Sequence, residues 1–312
     1  MVNVDTTFDD SAPSPWKDFC PSQAGQGPFR PDQPLSNFNS DDSSFGTWSL
    51  WVENDSSDSR SGWLSNISLT ITGTPLAAPA ARSTTVVNAA SFQGRGVIAP
   101  GELVSIFGVG LGPQTPVSAP SGNLPTSLGG TTVTIGGASV PIAYASSFRV
   151  DFQAPFNLTP GSTATIQINF NNQSSIGVQV DVVAAAPGLF TRSVDGTGQI
   201  MATNQSGSTN SVTNAAAKGS IVAIPASGLG VTNPVVAAGT APPNSPFSTV
   251  TGVQAFVGGA PAAVQFAGLA PGQPGLYQLN IQIPADVRSG AQEVVIFVSG
   301  QSSQKGATIQ IQ

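Results

Sequence analysis

GELVSIFGVGLG, residues 101–112, returns 118 residues later as GSIVAIPASGLG, residues 219–230, with six of the twelve positions identical. In both copies a Val and an Ile stand two apart, Val104 and Ile106, then Val222 and Ile224. That is the period of a strand with one buried face, and a Gly-Leu-Gly turn closes each run. The correspondence continues downstream. Ile135-Gly-Gly-Ala138 recurs as Val257-Gly-Gly-Ala260, and Val150-Asp-Phe-Gln-Ala-Pro155 recurs as Leu279-Asn-Ile-Gln-Ile-Pro284. From Val150 onward the spacing stays at 129, carrying Gly161 onto Gly290, Gly177 onto Gly306 and Val180 onto Ile309. A fixed spacing with the apolar positions in phase predicts one small β-domain written twice.

Composition agrees. A chain of 312 residues exceeds one ordinary domain and suggests two or three. Charged residues are only 8%, against about 25% in an average protein, whereas Gly supplies 35 residues and Pro 26. No long window carries apolar residues at helical spacing, so helices are expected to be scarce. The net charge of -6 is concentrated at the front: residues 1–73 hold ten of the 16 acids and three of the 10 bases. Nucleic acid is disfavoured as a partner, since phosphate binding needs a Lys/Arg surface. The single Cys, Cys20, has no internal disulfide partner. No run of about 18 apolar residues marks a membrane span, and the first thirty residues lack the apolar core of a signal peptide. An export address, if the protein is exported, is expected upstream of Met1.

The first unit is residues 1–73. Trp48, Leu50 and Val52 alternate with Ser49, Trp51 and Glu53, and after a polar turn Ile67, Leu69 and Ile71 alternate with Ser and Thr. This predicts a β-hairpin with one wet face. Phe8-Asp-Asp10, Phe29-Arg-Pro31, Pro34-Leu-Ser-Asn-Phe38, Gly46-Thr-Trp-Ser-Leu50, Gly62-Trp-Leu64 and Ile67-Ser-Leu-Thr-Ile71 resemble the second half of the P domain that follows the catalytic domain of subtilisin-like proprotein convertases. The resemblance implies a jelly-roll-like sandwich whose front strands would precede Met1, so the segment is expected to be incomplete.

Residues 74–84, TPLAAPAARST, read as an Ala/Pro linker. The first repeat copy is expected over 85–183, a joint over 184–190 and the second copy over 191–312. Asn88-Ala-Ala-Ser-Phe92, Ala99-Pro-Gly-Glu-Leu-Val-Ser-Ile-Phe107, Leu124-Pro-Thr126, Ala186-Pro-Gly-Leu-Phe190, Gly228-Leu-Gly230 and Ala267-Gly-Leu-Ala-Pro271 with Gly275-Leu-Tyr-Gln-Leu-Asn280 resemble an acidobacterial family of uncharacterised C-terminal domains with units similar to the immunoglobulin-like IPT/TIG fold. The resemblance covers residues 85–312 and implies little about activity. Ser147-Phe-Arg-Val-Asp151 departs from it, because the family usually has Thr-Gln before this strand. The fold expected for the whole chain is all-β: a partial P-domain-like sandwich, then two Ig-like sandwiches in tandem.

The chain contains no His, which excludes within it a Ser-His-Asp triad, a Cys-His pair and a His-containing zinc site. Lys218-Gly-Ser220 could be imagined as a Ser-Lys pair, but nothing in the sequence would desolvate the Lys. Gly108-Val-Gly110 with Gly112 is superficially a phosphate loop, yet no helix pattern follows, and turn formation is the plainer reading. No catalytic residues are expected and the chain is read as not an enzyme. Asp9, Asp10, Asp41, Asp42, Asp55 and Asp58 fall in turn-like stretches and are candidate Ca²⁺ ligands, although solvated turn formers give the same pattern. Beyond that Ca²⁺, no cofactor is expected. Trp51 and Trp63 are candidate sugar-stacking or partner-binding aromatics, unless neighbouring chain covers them. The reading preferred is a non-catalytic C-terminal region of a secreted or cell-surface bacterial protein, acting in adhesion, spacing or binding. The alternatives are the accessory region of a subtilisin-like protease whose catalytic domain lies upstream, and a carbohydrate-binding adhesin. The partners these imply are an upstream protease domain, a cell-surface component or a glycan.

Overall fold

The computed structural model describes residues 78–193, 195–245 and 247–312. Met1–Thr74 and Pro75–Gln312 are separate compact units. The described residues are all β, with no helix among them. Thirteen strands have four or more residues: β1 Ala80–Asn88, β2 Leu103–Val109, β3 Thr131–Ile135, β4 Ile142–Ala145, β5 Arg149–Gln153, β6 Thr163–Phe170, β7 Val178–Val182, β8 Ile221–Ser227, β9 Gln254–Val257, β10 Ala260–Leu269, β11 Tyr277–Gln282, β12 Gly290–Val298 and β13 Ala307–Ile311.

The first seven strands build one sandwich. One sheet runs β1-β2-β5-β4 and ends on Val117–Ser118. The other runs Val97–Ile98, β7, β6, β3 and Ser127–Leu128. All pairs are antiparallel except that of Val97–Ile98 with β7. The alternation seen in the sequence determines what turns inward. Val104, Ile106, Val150 and Phe152 from the first sheet meet Val133, Ile166, Ile168 and Val180 from the second. Each such side chain fully buried contributes about 1.5–3 kcal/mol of hydrophobic stabilisation.

In the second sandwich the order is Gly188–Leu189, β8, β11, β10, β9, β12, β13 and Gly198–Gln199. Strand β10 serves both faces. Residues 260–262 pair with β9, whereas residues 263–269 pair with β11, with an irregularity between Val264 and Phe266 just past the switch. A bulge of this kind bends a strand enough to turn the corner of a sandwich. The core is separate from the first and gathers Val222, Ile224, Leu279, Ile281, Val294, Ile296 and Ile309.

The repeat is visible as strand register. Val104 faces Phe152 and Ile106 faces Val150. The equivalent residues pair identically, Val222 with Ile281 and Ile224 with Leu279. Hairpin turns agree as well: Gly136 and Gly137 have φ of 58° and 85°, Gly258 and Gly259 56° and 82°. Two consecutive positive φ values are what a two-residue type I′ turn requires, and Gly adopts them without strain.

Two details differ from the sequence reading. Residues 80–84, expected as linker, begin β1, where Ala80 and Ala81 pair with Val109 and Gly108 before an irregular step to Val86. Gly188–Leu189 of the expected joint is an edge strand on β8, paired with Ser227 and Ala226. Ala/Pro composition and short length conceal such pairing, because its hydrogen bonds are made by backbone and leave no side-chain pattern.

Candidate functional site

A cluster of buried polar side chains lies where the two sandwiches meet. It is built from the ends of β1, β2 and β5 on one side and from β8, β11 and the 231–241 loop on the other. Asn88 ends β1, its Oδ1 accepting from the Ala90 and Ser91 amides at 2.8 and 3.2 Å. Its Nδ2 donates to the Ala186 carbonyl at 2.8 Å. Gly188 passes so close to this amide that a Cβ there would collide with it. Ser227, the last residue of β8, accepts from the Leu103 amide at 2.9 Å and donates to the Leu103 carbonyl at 3.2 Å. Gln153 donates to the Gly101 carbonyl at 3.4 Å while its Oε1 accepts from the Gly239 amide at 2.6 Å. The Leu124 amide reaches the Gly239 carbonyl at 2.8 Å, and the Ala241 amide reaches Asn123 at 2.9 Å. Phe156 follows β5 in the first sandwich, yet packs in the core of the second.

Repetition explains why these polar groups are here. Gln282 stands where Gln153 does, and it too donates to the equivalent turn carbonyl, Gly219, at 3.0 Å. The Ala154 amide donates to the Glu102 carbonyl at 2.8 Å, as Ile283 does to Ser220 at 2.9 Å. Leu103 and Ile221 both begin a strand with an amide that needs an acceptor. In the second copy Gln205 from its own loop supplies one at 3.0 Å, whereas in the first copy Ser227 of the neighbouring sandwich does. The junction therefore takes a pole of the fold that faces water in the second copy and closes it in the first. Gln153 is buried, whereas Gln282 is exposed.

Two ionisable groups are trapped there. Tyr277 is fully buried and donates from its hydroxyl to the Gly230 carbonyl at 2.5 Å. Burial first, and then the neighbouring Glu102, hold its proton more tightly than usual. The Glu102 side chain is also fully buried. Its Oε2 accepts from the Ala99 amide at 2.6 Å. Desolvation pushes the carboxyl up to about 8, opposed by the Ala99 amide and by the nearby Asn88 amide. No donor reaches Oε1 at hydrogen-bonding geometry. Tyr277→Phe removes the donor to a buried carbonyl and is expected to cost about 1–3 kcal/mol; denaturant melts of the two proteins measure it, and no loss would mean that the hydroxyl is dispensable to the junction.

The sequence-predicted sites fall elsewhere. Asp9, Asp10, Asp41, Asp42, Asp55, Asp58, Trp51 and Trp63 lie outside the described residues, as does Cys20. Among the described residues no group of three or more His, Cys, Asp or Glu side chains could hold a metal ion. Lys218 is exposed and Ser220 donates to the Ala217 carbonyl at 2.6 Å, so the pair closes a turn. Gly110 has a positive φ, as a turn former should, but Gly108 does not; a side chain at Gly108 would strike the Ala80 carbonyl, so its role is close strand approach.

The departure at Ser147-Phe-Arg-Val-Asp151 is a surface feature. Phe148, at the position equivalent to Tyr277, is 55% exposed. The Arg149 guanidinium lies 4.4 Å from the centre of the Tyr144 ring. Its Nε is 3.2 Å from Asp151 Oδ1 but off the N–H direction, an ionic contact and not a hydrogen bond. Asp151 accepts from Ser105 Oγ at 2.7 Å, and burial raises its pKa against the pull of Arg149 and Ser105. On the second sandwich, Phe256 and Phe297 meet edge to face at 5.7 Å beside an open depression of ≈ 400 Å³ lined partly by Val253, Pro261 and Val264.

No family model and no curated protein matches the chain. Solved structures resemble it at low identity. A surface glycan-binding protein from the mixed-linkage glucan utilization locus of Bacteroides ovatus, in complex with a mixed-linkage heptasaccharide, is 13% identical over 74% of this chain and 45% of that one, with a TM-score of 0.32. Domains 5–6 of the S-layer protein SbsC are 14% identical over 75% and 98%, with a TM-score of 0.22. The titin Ig tandem A164–A165 is 9% identical over 69% and 91%, with a TM-score of 0.19. The chain spans under half the length of the glycan-binding protein. These likenesses assign it neither ligand nor partner.

Proposed function

We propose that this chain is a non-catalytic spacing and attachment region of a larger exported bacterial protein, in which the two Ig-like sandwiches act as one stiff arm. The observation that carries this is the use of the buried polar side chains at the junction. Asn88, Gln153, Ser227 and Tyr277 each make a hydrogen bond to backbone across or beside it, so they join modules instead of lining a cleft. The missing His, the low charge and the Ser/Thr-rich surface fit the same role. The P-domain-like front segment and the acidobacterial C-terminal family resemblance both suit a region that follows other domains in a secreted protein.

Two measurements on the purified full chain test the reading. Backbone ¹⁵N relaxation should give one shared rotational correlation time for residues of the two sandwiches. Incubation with casein, nitrophenyl esters and nitrophenyl glycosides should give no turnover that a single substitution abolishes. Independent tumbling of the sandwiches would remove the stiff arm, and substitution-sensitive hydrolysis would remove the non-catalytic reading.

A further inference from the structure

We propose that Glu102 is a proton-operated latch between the two sandwiches: with its carboxyl protonated the junction is closed, and loss of that proton opens it. The latch goes beyond the spacing role, since it would make the stiffness of the arm depend on the surrounding pH.

The geometry supplies the argument. The carboxyl sits in the turn over residues 99–102, where the Glu102 amide also donates to the Ala99 carbonyl at 3.2 Å. In the second copy the same turn is closed by Ser220, whose amide donates to the Ala217 carbonyl at 3.1 Å. A turn that Ser closes does not need Glu, so the local fold does not explain the carboxyl. What distinguishes the first copy is that its turn is sealed by the next sandwich. Gly101 is held against the Phe156 ring and within reach of the Tyr277 hydroxyl, and Leu103 is bonded to Ser227.

The groups packed around the carboxyl are neutral. Its own turn presents the Ala99 amide, β1 presents Asn88, and β11 presents Tyr277, the other titratable group that senses it. The residues on either side of Glu102 are held by neutral groups as well: Gln153 donates to the Gly101 carbonyl, Phe156 lies against Gly101, and Ser227 is bonded to Leu103. A neutral acid is the less costly form in these surroundings, with Oε2 accepting from Ala99 and the proton on Oε1, which has no hydrogen-bond partner. An ionised one would hold a buried charge with a single strong donor, a costly arrangement that opening to water relieves. The proton is held up to about 8 in the closed form against 4.5 when the group is free. Protonation therefore favours the closed form, and the closed-to-open ratio falls as pH rises across that window, by about three orders of magnitude in all.

The test uses the full chain, labelled with ¹³C and ¹⁵N and titrated by NMR from pH 4 to 9.5. The Glu102 side-chain carboxyl, assigned by its disappearance in Glu102→Gln, should titrate with a midpoint well above 4.5 and no higher than about 8, lower the more readily the ionised form opens. The amides of Leu103, Gly239 and Ala241, all bonded across the junction, should shift or broaden with the same midpoint. They should stay fixed in Glu102→Gln, and in Glu102→Ser should that variant be needed because Gln folds poorly. A carboxyl midpoint near 4.5 overturns the latch. So does a raised midpoint with motionless junction amides, or amide changes that persist in either variant.

Discussion

Raising the pH from 4.5 to 9 is expected to lower the unfolding free energy of the wild-type chain relative to Glu102→Gln by at most about 5 kcal/mol, and by less to the extent that opening of the junction relieves the buried charge. Glu102 has its proton held up to about 8 in the folded protein, against 4.5 for a free Glu. Each unit between the two corresponds to about 1.36 kcal/mol. The sign follows from which state binds the proton more tightly. The folded state does, so this contribution is fully present below about 4.5 and is lost as pH climbs to about 8, beyond which the difference is constant. Most carboxylates act in the opposite sense. Asp195, for example, accepts from Ser193 and Thr197 and is held down to about 2, so it loses stability only in strong acid. Because such groups are common to both proteins, the comparison with Glu102→Gln isolates the single buried acid. Urea melts at pH 5, 6.5, 8 and 9 provide the measurement. Parallel curves for the two proteins would show that Glu102 is ionised in the folded state at neutral pH.

Gly101→Ala should destabilise the protein by several kcal/mol, while Gly219→Ala, at the equivalent position of the second copy, should cost only about 1–2 kcal/mol. Both residues have a positive φ, 73° and 79°. The backbone penalty for a Cβ in that region is therefore the same in the two turns. Their surroundings are not. A Cβ on Gly219 would meet nothing within 4 Å, whereas one on Gly101 would overlap the Phe156 ring and lie 2.6 Å from the Tyr277 hydroxyl oxygen. Neither neighbour can withdraw, because Phe156 is packed in the second core and Tyr277 is fully buried and bonded to Gly230. Overpacking of this kind costs about 1–3 kcal/mol beyond the backbone term, and more when the junction itself separates. Equal losses in the two variants would mean that the poles of the two copies are equivalent and that the sandwiches are not sealed together.

The repeat and the strand assignments were legible because they depend on side chains of one type in one period. Val104 and Ile106 alternate with Ser105 and Phe107, and both apolar members the alternation selects are buried, although Ser105 between them is buried too, under its bond to Asp151. The motifs that carried the family resemblance were legible as well, but not their purpose. Asn88, Gly101 with Glu102, Leu124, Ala186, Gly228 to Gly230 and Tyr277 are far apart in the sequence, and the fold brings all of them to the junction. One signal could have pointed there. Where the copies differ in chemistry, at Glu102 against Ser220 and at Phe156 against Ala285, the difference marks the pole that is covered in one copy and free in the other. The eight Asp and Trp positions singled out from composition carried no such pairwise comparison, since residues 1–73 are not part of the repeat.

By itself the sequence determined that residues past 85 form two β-sandwiches of one design, and that the chain lacks the residue types for His-based catalysis. Periodicity and composition are local properties, and local properties suffice for both conclusions. Only the tertiary structure decided that the two sandwiches are welded, which polar groups do the welding, and that an acid with no positive partner is sealed between them. Burial depends on what packs against a residue from elsewhere in the chain, and desolvation, which governs the Glu102 proton, exists only once that packing is complete.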